Sequence, residues 1–387
     1  MNLAATHRIP YHGGGCRVSI IGAAVATALG DTPEALWQRI MAGETAIRPI
    51  ERFPVDGYPA KIAACIENLR SADGRSMLHA LLNRLLTGME PVPSDAVLIT
   101  ATTKAGIDNL ELLRRGKSVD FRDILPNSVS DTVCRKLGLT ASGINITAAC
   151  ASSTIAVAHG AALIASGRAE AVLICCADLV SEFVFAGFSA LKALSPVPCR
   201  PFDRNRLGLS LGEGAAVLQL MSTERARSEK RDRLGTILGW GIANDASHIT
   251  APAKSGRGLI QAVAHALKTA GRNAEDIAAV NAHGTGTVYN DLMELTAFRK
   301  LFGERNVPLY SVKGAIGHTL GAAGGIEVAL GLNALAAQTV PPTVGLMEPM
   351  DGAASLVSRE PRPFPGDCLL TTNSGFGGIN AALILGK

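Results

Sequence analysis

Cys150, His283 and His318 are the side chains in this 387-residue chain whose types and settings point to chemistry. Cys150 follows the apolar segment Ile144-Asn145-Ile146-Thr147-Ala148-Ala149 and precedes Ala151-Ser152-Ser153-Thr154, from which a small-residue helix reads to about Ser166. Strand, elbow and helix in that order place the thiol at a helix N-terminus, where unpaired N–H groups and the macrodipole favour a thiolate. A cysteine so placed can act as a nucleophile, although a small buried thiol facing the core is the commoner use of a lone cysteine. His283 ends the apolar run Val280-Asn281-Ala282 and opens Gly284-Thr285-Gly286-Thr287, a loop in which backbone and hydroxyls can come close to a ligand. His318 ends Ser311-Val312-Lys313-Gly314-Ala315-Ile316-Gly317 and opens a Gly/Ala-rich helix carrying Glu327. Either histidine alone is ordinarily a core or loop residue. A thiol and two imidazoles, each at a strand end, are the parts of covalent catalysis.

The elements that would bring these three together occur twice. Asp95 to Ile99, ending at Thr100 to Lys104, is echoed by Ile277 to Val280, ending at His283. The strand and helix around Cys150 are echoed by Leu309 to Val312 and the helix after His318, and Glu170 to Cys176, closing at Asp178, by Cys368 to Thr372, closing at Gly375. The order is the same in both halves, so the chain reads as two copies of one α/β unit. The strands are short and apolar on both faces, which predicts sheets covered by helices. Vicinal Cys175 and Cys176 should then face opposite sides of a strand, both as core residues. The charged stretch Thr223 to Arg233, without apolar periodicity, puts a boundary near Asp232. Residues 16–232 form the half with the nucleophile and 233–387 the half with the two histidines, while 1–15, with two His, a Pro and a Gly triplet, read as a flexible tail.

Composition narrows the class. With 47% hydrophobic residues, 18% charged and 41 glycines, the chain suits a large core with tightly packed small-residue helices, not disorder or nucleic-acid binding. A net charge of +4 permits attraction to an acidic protein and is too weak to argue for DNA or a membrane. No uninterrupted apolar run reaches the roughly 20 residues of a bilayer span, and the first residues lack a signal-peptide stretch. The eight cysteines are scattered and read as reduced, which points to the cytoplasm, and no pair has zinc-ligand spacing, so no metal is expected.

Together with Arg200-Pro201-Phe202-Asp203, Gly212-Glu213-Gly214-Ala215, Asp245 to Pro252 and Gly375-Phe376-Gly377-Gly378, these motifs resemble those of the β-ketoacyl-acyl carrier protein synthases, the condensing enzymes of fatty acid and polyketide synthesis. The likeness runs from about Arg17 to Leu385 and is strongest to the elongating branch with a Cys-His-His site. It implies a thiolase-like α/β fold, two duplicated halves packed as five layers, αβαβα, so that loops at matching strand ends bring Cys150 to His283 and His318. It implies a decarboxylative Claisen condensation. Cys150 would hold the acyl chain as a thioester, with backbone N–H groups of Cys150 and Phe376 as the oxyanion hole. Malonyl-acyl carrier protein would then lose carbon dioxide, its enolate stabilised by His283 and His318 as neutral Nε2–H donors.

By the same resemblance Phe376 is a gate for the acyl chain, Lys313 the family's characteristic lysine and Glu327 its buried glutamate. A structural ion pair and a direct chemical role both stay open for that pair. Glu294, following Asp291, reads as structural support. Thr285 and Thr287, with His248 in the Asp245 to Pro252 loop, suit the phosphopantetheine arm that carries the substrates, and no further cofactor is implied. Arg75, Arg204, Arg206, Lys254 and Arg257 are the candidates for docking the acidic acyl carrier protein. Thr100-Ala101-Thr102-Thr103-Lys104-Ala105-Gly106 stands where elongating synthases usually carry a Gly-rich turn near the acyl pocket and dimer interface, and the segment from Asn68 to Met77 is shorter than usual. Polyketide or polyene chains are therefore as open as fatty acids. So is a homodimer against a heterodimer with a related ketosynthase or chain-length subunit. The alternative, a non-catalytic chain-length-determining partner, typically lacks the nucleophile, and a degradative thiolase would want a second cysteine where Asn373-Ser374-Gly375-Phe376 has none.

Overall fold

Ten strands form one sheet whose order repeats after five. In the computed structural model, which describes residues 17–387 apart from Ala72, they are β1 (Val18–Thr27), β2 (Val97–Ala101), β3 (Ile144–Ile146), β4 (Ala171–Asp178) and β5 (Gly214–Ser222), then β6 (Gly235–Asn244), β7 (Ala279–Asn281), β8 (Leu309–Tyr310), β9 (Cys368–Gly375) and β10 (Ile379–Gly386). The expected tail, 1–15, lies outside the described residues. From the middle of the sheet outward, the first half runs β1-β5-β4-β2-β3 and the second β6-β10-β9-β7-β8. In each half the three outer strands are parallel and the inner pairs antiparallel. The duplication read from the sequence is thus a duplication of topology.

The two expected sheets are joined. β1 and β6 pair through Val18↔Ile237, Ser19↔Thr236 and Ile20↔Gly235, a short antiparallel ladder that makes ten strands continuous. Helices separate three apolar layers on this sheet. α1 (Met77–Leu86) and α2 (Asn127–Leu137) bury Leu78, Leu81, Leu82, Val129 and Val133 against Leu98, Leu173 and Cys175. α3 (Ser152–Ala165) and α6 (Ala323–Ala337) lie between the halves, packed against Ile99, Ile174 and Cys176 from one and Leu369, Leu383 and Leu385 from the other. α4 (Arg257–Ala270) and α5 (Val288–Phe302) cover the far side on Val280, Leu370 and Ile384. The result is five layers, αβαβα. Cys175 and Cys176 do fall in different layers, as strand alternation requires.

Among the described residues only the central helices touch a sheet on both sides, which is why their sequences are apolar all round. The apolar span Leu320–Ala337 is long enough by composition to cross a membrane, yet 83% of it is buried inside the protein, which makes it a core helix. Glycine lets that helix come close: a Cβ at Gly324 would lie 2.0 Å from Thr154 Oγ1 of α3, and one at Gly325 2.4 Å from Cys176 Sγ. The carboxyl ends of the parallel strands open on one side of this packed centre. Cys150 follows β3, His283 follows β7, His318 follows β8, and Asn373 lies near the end of β9.

Candidate active site

The elbow between β3 and α3 is strained where it must turn. Ala149 adopts φ +48°, a left-handed conformation unusual for a residue with a Cβ, and Ser152 Oγ braces the turn by accepting from Ala148 N–H (2.8 Å) and donating to Ala149 O (2.6 Å). Gly375 packs directly on this elbow, since a Cβ there would stand 3.1 Å from Ala149 Cβ. The sulfur of Cys150 and one ring nitrogen of each of His283 and His318 lie within 4.8 Å of one another, and all three residues are buried. The two rings meet edge to face, centroids 5.1 Å apart at 83°.

Hydrogen bonds fix both imidazoles in one tautomer. Asn373 Oδ1 accepts from Thr154 Oγ1 and its Nδ2 donates to Glu327 Oε2 (2.7 Å), so the same amide nitrogen must donate to His283 Nδ1 (3.2 Å). Leu320 N–H donates to His318 Nδ1 (3.3 Å). With each Nδ1 an acceptor, the proton sits on Nε2, and His318 Nε2 has no partner among the described residues. Burial, reinforced by the charge of Lys313, holds both rings well below the ordinary histidine value, with His318 adding to the effect on His283. They are neutral donors at physiological pH.

Buried acidic side chains hold the loops by accepting from their backbone and side-chain donors. Glu294 accepts from the N–H groups of His283 and Gly284 (both 2.7 Å) and is pushed up to about 8, chiefly by burial and next by Asp291. Asp291 accepts from Phe202 N–H (2.8 Å) and Thr285 N–H (3.1 Å). Lys313 Nζ donates to Glu327 Oε1 at 2.5 Å, both side chains 1% exposed. Asp178, at the end of β4, accepts from Thr102 Oγ1 (2.9 Å), Thr103 Oγ1 (2.9 Å) and Gly321 N–H (2.7 Å), which ties the polar Thr100 to Gly106 segment to the turn after His318. Neither Asp178 nor Asn373 was singled out from the sequence as a site residue. The signal for Asn373 was its place before Gly375 and Phe376 on the strand matching β4.

The thiol departs from the sequence expectation. Lys313 and the N–H groups of Phe376 and Cys150 favour a thiolate, but burial outweighs them and, with Asp178, pushes Cys150 up to about 11. The resting side chain is a thiol. Iodoacetamide should therefore label Cys150 slowly at pH 7, its rate rising about tenfold per pH unit as the thiolate fraction grows. Half-buried Cys134 should label earlier, by peptide mass mapping, and a Cys150 rate already at its plateau near neutrality would contradict this.

Sulfur and two imidazoles could hold a metal by donor type, but the charge of Lys313, which acts on both rings, disfavours a cation there. A cavity of about 440 Å³ reaches the trio from the surface past Thr285, Thr287, His248 and Phe376, whose ring stacks on Phe188 (centroids 5.7 Å, 27°). Thr285 and Thr287 share a hydrogen bond between their hydroxyls (2.9 Å). The arginines expected to dock a carrier protein are largely committed to partners within the chain. Arg206 turns inward and donates to the carbonyls of Asp203 (2.9 Å), Val288 (3.1 Å) and Thr287 (3.2 Å), so reversing its charge would break the His283 loop, not report on docking. Arg204 pairs with Glu348 and Asp351, Arg257 donates to the Asp245 carbonyl, and Arg75 pairs with buried Asp123 beside cavities apart from Cys150. Lys254 is exposed, and the cavity mouth itself is apolar, with Leu191, Leu207, Val288 and Tyr289 at the surface.

This chain is similar to known condensing proteins over nearly its whole length. The family described as beta-ketoacyl synthase, N-terminal domain, matches residues 16–74 and 89–226, and the corresponding C-terminal domain matches residues 234–347. A 3-oxoacyl-[acyl-carrier-protein] synthase 2 of Vibrio harveyi is 30% identical, the match covering 96% of this chain and 98% of the relative. The tetracenomycin polyketide synthase ketoacyl synthase alpha subunit of Streptomyces glaucescens is 32% identical over 96% of this chain and 97% of its own. Among solved structures, the ishigamide ketosynthase/chain length factor superposes with a TM-score of 0.88 at 28% identity, covering 96% of this chain and 99% of the other.

Proposed function

The chain belongs to the β-ketoacyl synthase family, and on that footing we propose how its residues divide a decarboxylative condensation between an acyl thioester and malonyl-acyl carrier protein. Cys150 attacks the acyl thioester, and its proton leaves with the carrier's thiol. The N–H groups of Cys150 and Phe376, which act on the sulfur, lie beside the carbon where the tetrahedral oxyanion would form. Malonyl thioester then loses carbon dioxide, the electrons of the broken bond passing to its carbonyl oxygen. The Nε2–H groups of His283 and His318 receive that oxygen. The enolate carbon attacks the acyl thioester on Cys150, a carbon–carbon bond forms, and the sulfur leaves and regains a proton.

The observation that supports this division is the shared tautomer: both imidazoles have Nδ1 occupied as an acceptor, leaving Nε2–H as the free donor of two rings gathered at the sulfur. Neutral donors suit an enolate, because a catalyst that stabilises developing negative charge needs its proton in place beforehand. The intact trio also speaks for a catalytic chain and against a non-catalytic chain-length subunit. The protein works with acyl carrier protein, as a homodimer or with a related subunit, in fatty acid, polyketide or polyene synthesis. It needs no resident cofactor beyond the carrier's phosphopantetheine, with Thr285, Thr287 and His248 lining that arm's path. The described cysteines are all free, which supports a reducing, cytoplasmic setting.

Incubation with acyl- and malonyl-acyl carrier protein should yield one carbon dioxide for each β-ketoacyl product. Product formed without loss of the malonyl carboxyl, or no product with any acyl chain, would contradict the reading.

A further inference from the structure

Behind the Lys313–Glu327 pair, three strands set three buried polar side chains next to one another, none of them used by the chemistry above. β7 pairs in parallel register with β8 through Asn281↔Tyr310 and with β9 through Asn281↔Thr371. Residues in register share a sheet face. Here that face is the central layer: Asn281 Nδ2 donates to Glu327 O on α6 (3.3 Å), and Tyr310 packs in the cluster around α3 and α6. Asn373, two residues beyond Thr371 and so on the same face, reaches the Glu327 carboxylate.

All three residues are 0% exposed. Yet Asn281 Oδ1, Tyr310 Oη and Thr371 Oγ1 each have no hydrogen-bond partner among the described residues. A single buried polar orphan costs about 1–3 kcal/mol, so three at neighbouring register positions call for a shared explanation. Their chemistry is complementary. Two hydroxyls can donate and an amide oxygen can only accept, the inventory that satisfies one water molecule. Glu327 is tied to the same face, its backbone oxygen accepting from Asn281 and its carboxylate from Asn373, and burial, with that carboxylate's charge next, keeps the Tyr310 phenol protonated.

We propose that Tyr310, Asn281 and Thr371 bind an ordered water molecule that accepts from the two hydroxyls and donates to Asn281 Oδ1 and the Glu327 carboxylate. Tyr310 and Thr371 are then positioning residues. Through the water they hold Glu327 against Asn373, and Asn373 holds His283 in its Nε2–H tautomer. The water site rests on strand register, burial and the three unpartnered atoms, whereas its effect on turnover rests on the roles given above to His283 and Glu327.

The experiment therefore has two arms. A high-resolution crystal structure of the whole protein should show water within about 2.6–3.2 Å of Tyr310 Oη, Asn281 Oδ1 and Thr371 Oγ1. Dry density, with the three atoms satisfied by protein groups, overturns the site. In the second arm Tyr310→Phe keeps the ring and removes the donor. It should lower kcat for malonyl decarboxylation about tenfold, the scale of one lost hydrogen bond, while the KM for malonyl-acyl carrier protein and the rate of Cys150 acylation stay within about twofold. Thr371→Val should act in the same direction. Equal losses in both half-reactions, or no loss in either variant, overturn the positioning role. Failure of the histidine roles would show separately, in His318→Ala, with the water still in place.

Discussion

His318→Ala and His283→Ala should each slow condensation by about two to three orders of magnitude while reducing acyl loading of Cys150 far less, as expected for loss of one oxyanion donor. The division follows from where the donors lie. Acylation needs the Cys150 thiol and the N–H groups of Cys150 and Phe376, none of which either substitution removes. Decarboxylation needs two Nε2–H groups on a developing enolate, and each substitution takes one away. His283→Ala should do further harm because it frees the Asn373 amide, which also binds Glu327. Single-turnover acylation, followed by intact mass, is compared with product formation from malonyl-acyl carrier protein. Complete loss of acylation in both variants, with the fold retained, would contradict the assignment.

Lys313→Met should be the most destabilising substitution at the site, by about 3–5 kcal/mol, because it leaves the Glu327 carboxylate buried without its counter-charge. Glu327→Gln should cost a comparable amount for the mirror-image reason. The double variant Lys313→Met, Glu327→Gln should recover much of the loss, since a buried pair replaced as a unit leaves no uncompensated charge. Urea midpoints measure all three, and additive losses would mean that the two side chains do not act as a pair. The same substitution tests chemistry. Lys313 depresses both imidazoles, so Lys313→Met should let them bind protons at higher pH than in the wild type. Histidine resonances followed by NMR against pH would show the direction.

The sequence carried the trio because each member sits at a break in pattern: a strand ending in Ala-Cys-Ala-Ser, and two strands ending in His beside Gly. The repeat was legible for the same reason, as apolar strands in the same order twice. What it did not carry depends on distance in the chain or direction in space. Asn373 acts by reaching Thr154, His283 and Glu327, residues with no local link to it. Arg206 reads as a surface cation until its side chain is seen turned onto the Thr287 and Val288 carbonyls. Joining of the two halves rests on three residue pairs between β1 and β6, too short a ladder to leave a pattern. The protonation of the thiol was not legible because it depends on burial, the largest influence on Cys150, and burial is a property of the whole fold.

Cys150 carries the acyl chain between the two half-reactions on this mechanism. Intact-mass measurement after incubation with a panel of acyl-acyl carrier proteins, followed by peptide mapping, tests it most directly. The expected result is a mass increase of one acyl group, confined to the peptide containing Cys150, absent from Cys150→Ala and discharged on addition of malonyl-acyl carrier protein. An adduct on another residue, or product formed by Cys150→Ala at the wild-type rate, would contradict it.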